Sequence, residues 1–158
     1  MKSEDNQGYE LINARSTPGM IFVCDHASNA LPAAAQVTRA LAAAFDAPAV
    51  LGVYSRLLID LNRGADDPTL VMKLSDGEII PGNAAAGQTE SAKRIAKFYK
   101  PYHQAIEAEL ARARAQSIAP IVVSIHSFTP SWKGNDRPWQ IGVLWSRQDP
   151  RLARELLD

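Results

Sequence analysis

Two short apolar runs constrain this chain more than any other feature: Gly19-Met-Ile-Phe-Val-Cys24 and Ile121-Val-Val-Ser-Ile125. Their apolar residues follow one another rather than alternate with polar ones, which predicts strands buried on both faces. Each run ends abruptly in polar residues, Asp25-His26 in the first and His126-Ser127 in the second. A third run, Ile141-Gly-Val-Leu-Trp145, predicts a third strand. Between the first two runs, Ala33 to Phe45 is Ala-rich, with Val37, Leu41 and Phe45 four apart on one stripe. That spacing predicts an amphipathic helix ending near Pro48. Helical spacing returns at Ile95, Phe98, Tyr102, Ile106, Leu110 and Ala113. This helix should start near Ser91 with Thr89 as its N-cap, and kink or restart at Pro101. Leu70 to Leu74 is a brief strand candidate, and Asp76-Gly77 predicts a tight turn before Ile79-Ile80. Pro81 to Gln88 reads as a loop. Strand, helix, strand alternation predicts a three-layer α/β domain, with a mainly parallel central sheet flanked by helices. Ligands of such sheets gather outside the carboxyl ends of the strands, where His26 and His126 both fall.

Composition removes several function classes. Lys plus Arg and Asp plus Glu both number 17, so no basic excess points to nucleic acid. No apolar run approaches the length of a membrane span. The stretch from Met1 to Glu10 is acidic and polar, unlike a secretory signal. Cys24 is the single cysteine, so no internal disulfide is possible. The expected compartment is the cytoplasm.

Three groups of residues carry potential chemistry. The first is Asp25, His26 and His126 at the two strand ends, whose imidazoles can converge on one metal if the strands are neighbours. Hydrolytic zinc takes three protein ligands and one water, so two histidines are one ligand short. The plainer alternative is two hydrogen-bonded structural histidines. The second group is Tyr54-Ser-Arg56 with Asp60-Leu-Asn62-Arg63: either a carboxylate-binding arginine site or an internal Asp–Arg ion pair. The third is Arg137, which can bind a substrate carboxylate or pair with Asp136. Ser124 and Ser127 beside His126 suggest a serine hydrolase only weakly, since neither lies in a G-x-S-x-G elbow. His103 reads as a helix-packing residue, and Cys24 as an inert buried thiol.

The longer motifs resemble the N-formylglutamate amidohydrolase family. They are Phe22-Val-Cys-Asp-His-Ala-Ser-Asn-Ala-Leu-Pro32, Tyr54-Ser-Arg-Leu-Leu-Ile-Asp-Leu-Asn-Arg63, Ser75-Asp-Gly-Glu-Ile-Ile-Pro-Gly-Asn83 and Pro101-Tyr-His103. Ser124-Ile-His-Ser-Phe-Thr-Pro130 and Arg137-Pro-Trp-Gln-Ile-Gly-Val-Leu-Trp145 complete the series in the family's order. The resemblance implies a fold related to zinc-dependent exopeptidases. It also implies zinc-dependent hydrolysis of N-formyl-L-glutamate, or a similar small acidic N-acyl amino acid. By motif, His26 and His126 take metal positions; Asp25, beside His26, is the candidate third ligand, with Asp60 as the alternative. Arg56, Asp60, Asn62, Arg63 and Arg137 take polar positions around the substrate. Two departures stand beside the match. A His-x-x-x-Asp-x-Gly stretch expected after Leu31-Pro32 is absent, and the family continues beyond Asp158 through a Glu-rich strand expected to carry the general base. The expectation is therefore one domain over 1–158, incomplete at its C-terminus. Its rivals are a non-catalytic remnant that binds metal or acidic metabolites, and a serine-type esterase.

Overall fold

A computed structural model describes residues 8–27, 32–75, 77–132, 134–145 and 150–157. The chain forms two compact units, Met1–His126 and Ser127–Asp158. In the first, a four-stranded sheet has the order β1-β3-β2-β6. Its strands are β1 (Tyr9–Ile12), β2 (Met20–Cys24), β3 (Ala49–Gly52) and β6 (Ile121–Ser124). β2 runs parallel to both β3 and β6, while β1 pairs antiparallel with β3 at one edge. The two apolar runs are thus adjacent parallel strands, but only β2 is buried as expected. β6 lies at an edge of the described sheet and leaves Val122 47% exposed, because no further element among the described residues covers that face. β1 and β3 carry no clear signal in the sequence: Tyr9–Ile12 mixes polar and apolar residues, and Ala49–Gly52 is a short run hidden behind Pro48.

Side-chain alternation divides the sheet into two faces. Phe22 and Cys24 of β2, with Ala49 and Leu51 of β3, pack against helix α1 (Pro32–Ala44), with Val123 and Ile125 beside them. The buried side of α1 is Ala34, Ala35, Thr38 and Ala42, while Val37 and Phe45 of the expected stripe are exposed. Small residues let the helix lie close on the sheet, and Phe45 reaches back to Phe22 at 6.0 Å between ring centroids. On the other face, Val50 packs with Ile59, Leu61, Leu70, Val71, Tyr102 and Ala105.

Tyr102 and Ala105 come from one continuous helical segment. It consists of α3 (Gln88–Arg94), a π turn (Ile95–Tyr99) and α4 (Lys100–Ala115). The restart expected at Pro101 takes the form of this π turn. Pro101 has no N–H to offer the carbonyl one turn back, and Lys100 N–H bonds instead to Ile95 O, five residues back. α3 begins one residue before Thr89, with the extended backbone of Gly87 as N-cap, so the expected threonine cap is not formed. Leu70, Val71 and Met72 are core residues without being a strand; β4 (Leu74–Ser75) instead pairs with β5 (Glu78–Ile79) around Gly77, whose φ is +88°. Asp76 of that turn lies outside the described residues. The short helix α2 (Pro81–Ala84) replaces part of the expected loop.

The second unit contains the hairpin β7 (Ser131–Trp132) and β8 (Asn135–Asp136), then helix α5 (Arg151–Leu157). The third expected strand is not formed: among the described residues, 141–145 pair with no strand, and Ile141 and Leu144 are 82% and 99% exposed. Apolar sequence makes a strand only where a neighbour takes up its backbone hydrogen bonds. No helix among the described residues is long and apolar enough to cross a membrane.

Candidate active site

The parallel register pairs Met20 with Ile121 and Val23 with Ser124, so the next residues of β2 and β6 emerge side by side at the carboxyl edge. By alternation, Asp25, Ser124 and His126 follow the face that carries Tyr102. Their contacts agree. Tyr102 OH donates to Asp25 Oδ1 at 2.8 Å. Asp25 Oδ2 lies 3.5 Å from both Ser124 Oγ and His126 Nε2. His26, in the turn after β2, places its ring centroid 5.8 Å from that of His126. The two histidines singled out by the strand ends therefore share one site. The part of their motif from Ser28 to Leu31 lies outside the described residues.

Asp60, in the loop after β3, meets His26 and is 1% exposed. Its Oδ1 accepts from His26 Nε2 at 2.8 Å and from Asn62 N–H at 3.0 Å. Its Oδ2 lies 3.0 Å from Arg56 and 3.8 Å from Arg63. Burial pushes the Asp60 carboxyl up, but these hydrogen bonds and the His26 and Arg56 charges outweigh it and hold it below the ordinary carboxylate range. Arg56 and Arg63 are each about half exposed, so their outer N–H groups face solvent. The ion-pair alternative for this motif is present as geometry, and it leaves both arginines able to meet an anion as well.

Helix α4 contributes what spacing did not single out as functional. Tyr102 is fully buried, and burial first, then the Asp25 charge, push its hydroxyl far above the ordinary tyrosine range. His103 packs between Tyr99 and Tyr102, with Nε2 at 3.2 Å from Leu61 O. The motif Pro101-Tyr-His103 was the available signal for these residues. A second buried group secures the loop before α3: Asn83 Nδ2 donates to Leu57 O and Met72 O, each at 2.7 Å, and its Oδ1 accepts from Arg94 Nη1 at 2.6 Å. Arg137 belongs to the second unit, where it donates to Thr129 O at 3.3 Å and covers the Phe128 ring at 5.6 Å.

Two imidazoles and a carboxylate are donor types of hydrolytic zinc. A carboxylate on one ring nitrogen is also how ligating histidines are oriented, and Asp60 sits on His26 Nε2 in that way. His126 Nε2 and Asp25 Oδ2 stand near the separation of two donors on one tetrahedral ion, roughly 3.3–3.5 Å for bonds of about 2.0–2.1 Å. Their grouping falls short, however. Among the described residues, no three His, Cys, Asp or Glu are grouped to hold a metal ion. These residues fit zinc in kind without closing its shell. Ser124, His126 and Asp25 do not make a hydrolase triad either. Ser124 Oγ, 2.9 Å away, and Asp25 both address His126 Nε2, whereas a triad needs its acid on the opposite ring nitrogen.

The family model for N-formylglutamate amidohydrolase matches residues 34–158. The chain belongs to the N-formylglutamate amidohydrolase family. The matched span includes Asp60 and His126, while Asp25 and His26 precede it. The chain is also similar to the crystal structure of gene product Atu2144 from Agrobacterium tumefaciens, at 30% identity and a TM-score of 0.87. That similarity covers 96% of this chain and 68% of the other. No curated protein matches. The family points to an amidohydrolase, and the α/β fold with its mainly parallel sheet is the one expected.

Proposed function

We propose that this chain hydrolyses the amide of N-formyl-L-glutamate or a similar small acidic N-acyl amino acid, releasing a carboxylate and the free amino acid. The observation that carries the reading is the pairing of His26 and His126 at the ends of adjacent parallel strands, in a member of this family. His26 through Nδ1, His126 and Asp25 are the residues that would hold zinc. Bound zinc would bring a water's pKa toward neutrality. Asp60 keeps the His26 ring oriented and its Nε2 protonated. The outward N–H groups of Arg56 and Arg63 are placed to take the carboxylates of an acidic substrate in bidentate pairs.

Formate release from N-formyl-L-glutamate, followed together with metal content, tests this. The wild-type protein is expected to hold zinc and to release formate; the His26→Ala/His126→Ala protein should lose both. Full zinc occupancy in the double mutant would sink the metal assignment. A second reading, binding without turnover, is favoured because, among the described residues, these three side chains are not grouped as a metal site as they stand. It predicts a calorimetric binding signal for N-formyl-L-glutamate with no formate released at any zinc concentration.

A further inference from the structure

Among the described residues, Asp25 is the acidic group of the site that a buried hydroxyl contacts. It is itself buried, with Oδ1 on Tyr102 OH at 2.8 Å and Oδ2 turned to Ser124 and His126. We propose that Tyr102 is a positioning residue, which fixes the Asp25 carboxylate so that Oδ2 is presented to the His126 ring. The inference rests on the amidohydrolase reading for its consequence in catalysis, but not for the coupling itself.

The physical reasoning starts from the rotamer. A carboxylate turns readily about its terminal torsion unless one oxygen is held. Here the fully buried hydroxyl holds Oδ1, at a place where no water competes. The other oxygen is then committed to the crevice side, where His126 is partly exposed. Tyr102 can hold this position because α4 restarts after the π turn with Tyr102 on the sheet side, packed with Val50, Leu61 and Ala105. Tyr99, three residues earlier, has a different partner: its hydroxyl donates to Arg63 O at 2.8 Å. It therefore serves as a control on the same helix.

The test reads the ring nitrogens of His126 by two-dimensional 1H–15N NMR in the full chain. Tyr102→Phe should move the His126 signals, and Tyr99→Phe should leave them as in the wild type. In an Asp25→Asn background, Tyr102→Phe should add no further movement, since the effect passes through the carboxylate. Formate release by Tyr102→Phe should fall about 10–100-fold in kcat, the range for losing an outer partner of a ligand, with KM within about twofold. Unchanged His126 signals in a folded Tyr102→Phe protein overturn the proposal. If that variant does not fold, Asp25→Asn alone decides: unmoved His126 signals overturn it, and moved signals with Tyr102 intact sustain it. Moved signals in a protein whose wild type releases no formate sustain the coupling and overturn the hydrolase reading instead.

Discussion

Asp60 shows how a buried charge is sustained by its neighbours. A carboxylate at 1% exposure is costly unless its oxygens are occupied, and here His26, Asn62 N–H and Arg56 occupy them. The motif Asp60-Leu-Asn-Arg63 looked like a substrate-binding cluster with an ion-pair alternative. In three dimensions the acid turns inward to a histidine while the arginines turn outward. Asp60→Asn keeps the size but removes the charge that holds His26. On the proposed reading, in which His26 holds zinc, we expect amide hydrolysis to fall by about 10–100-fold, the range for an outer partner of a ligand. Arg56→Ala should act differently, raising KM for an acidic substrate by an amount equivalent to about 1.5–3 kcal/mol. Equal losses with acidic and uncharged N-acyl substrates would mark Arg56 as structural.

Among the elements, β3 and the π turn matter most for the site. Gly52 ends β3 where the backbone of Asp25 passes, and a Cβ there would lie 2.7 Å from Asp25 O. Gly52 O also accepts from Ala27 N–H at 3.1 Å, so β3 clamps the turn that carries His26. Gly52→Ala must push that backbone or the Leu61 side chain aside. The expected cost is about 1–3 kcal/mol, the range for overpacking, read as a lower denaturant midpoint. A midpoint equal to the wild type would show that the turn moves freely. The π turn has a comparable role: it absorbs Pro101 without ending the helix, so Tyr99, Tyr102 and His103 all reach the loop and strand ends of the site.

At the scale of the first unit, ion pairs join elements distant in sequence around two apolar layers. Arg39 of α1 makes a bidentate pair with Glu10 of β1, at 2.6 and 2.5 Å. Arg112 of α4 bonds Glu109 and also donates to Ser16 O at 2.7 Å, tying the helix to the β1–β2 connection. The hydrogen bond from Arg39 holds the Glu10 carboxyl below its ordinary range, against a smaller upward push from burial. A depressed carboxylate contributes stability above its unfolded pKa, near 4.3, and loses it as pH falls through the folded value. Because the pair is largely exposed, Arg39→Ala should cost only about 0.2–1 kcal/mol at pH 7. The difference from wild type should shrink below about pH 4. Urea unfolding at pH 7 and pH 3 checks this, and a constant difference would rule out the Glu10 linkage.

How much was legible follows from what each signal depends on. The two apolar strands, the α/β class and the strand-end histidines are local patterns, since an unbroken apolar run closed by polar residues needs no knowledge of its neighbours. Burial does need it: β6, at an edge of the described sheet, is only half-buried where burial on both faces was expected. β1 and β3 were not legible because their stability comes from pairing, which short mixed sequences do not advertise. The converse case is 141–145, whose apolar composition suits a strand but whose described residues lack the partner that would make one. The Ala face of α1 escaped a reading that weighs large side chains, since close packing on a sheet favours small ones. Tyr102 was visible as a packing position, and its link to Asp25 spans 77 residues. The sequence by itself determined which residues could do chemistry, because residue type and strand ends are properties of the chain. Only the tertiary structure decided that His26 answers to Asp60 and that Asp25 lies between Tyr102 and His126. Those relations arise from strand order and register, and they exist only once distant segments are packed together.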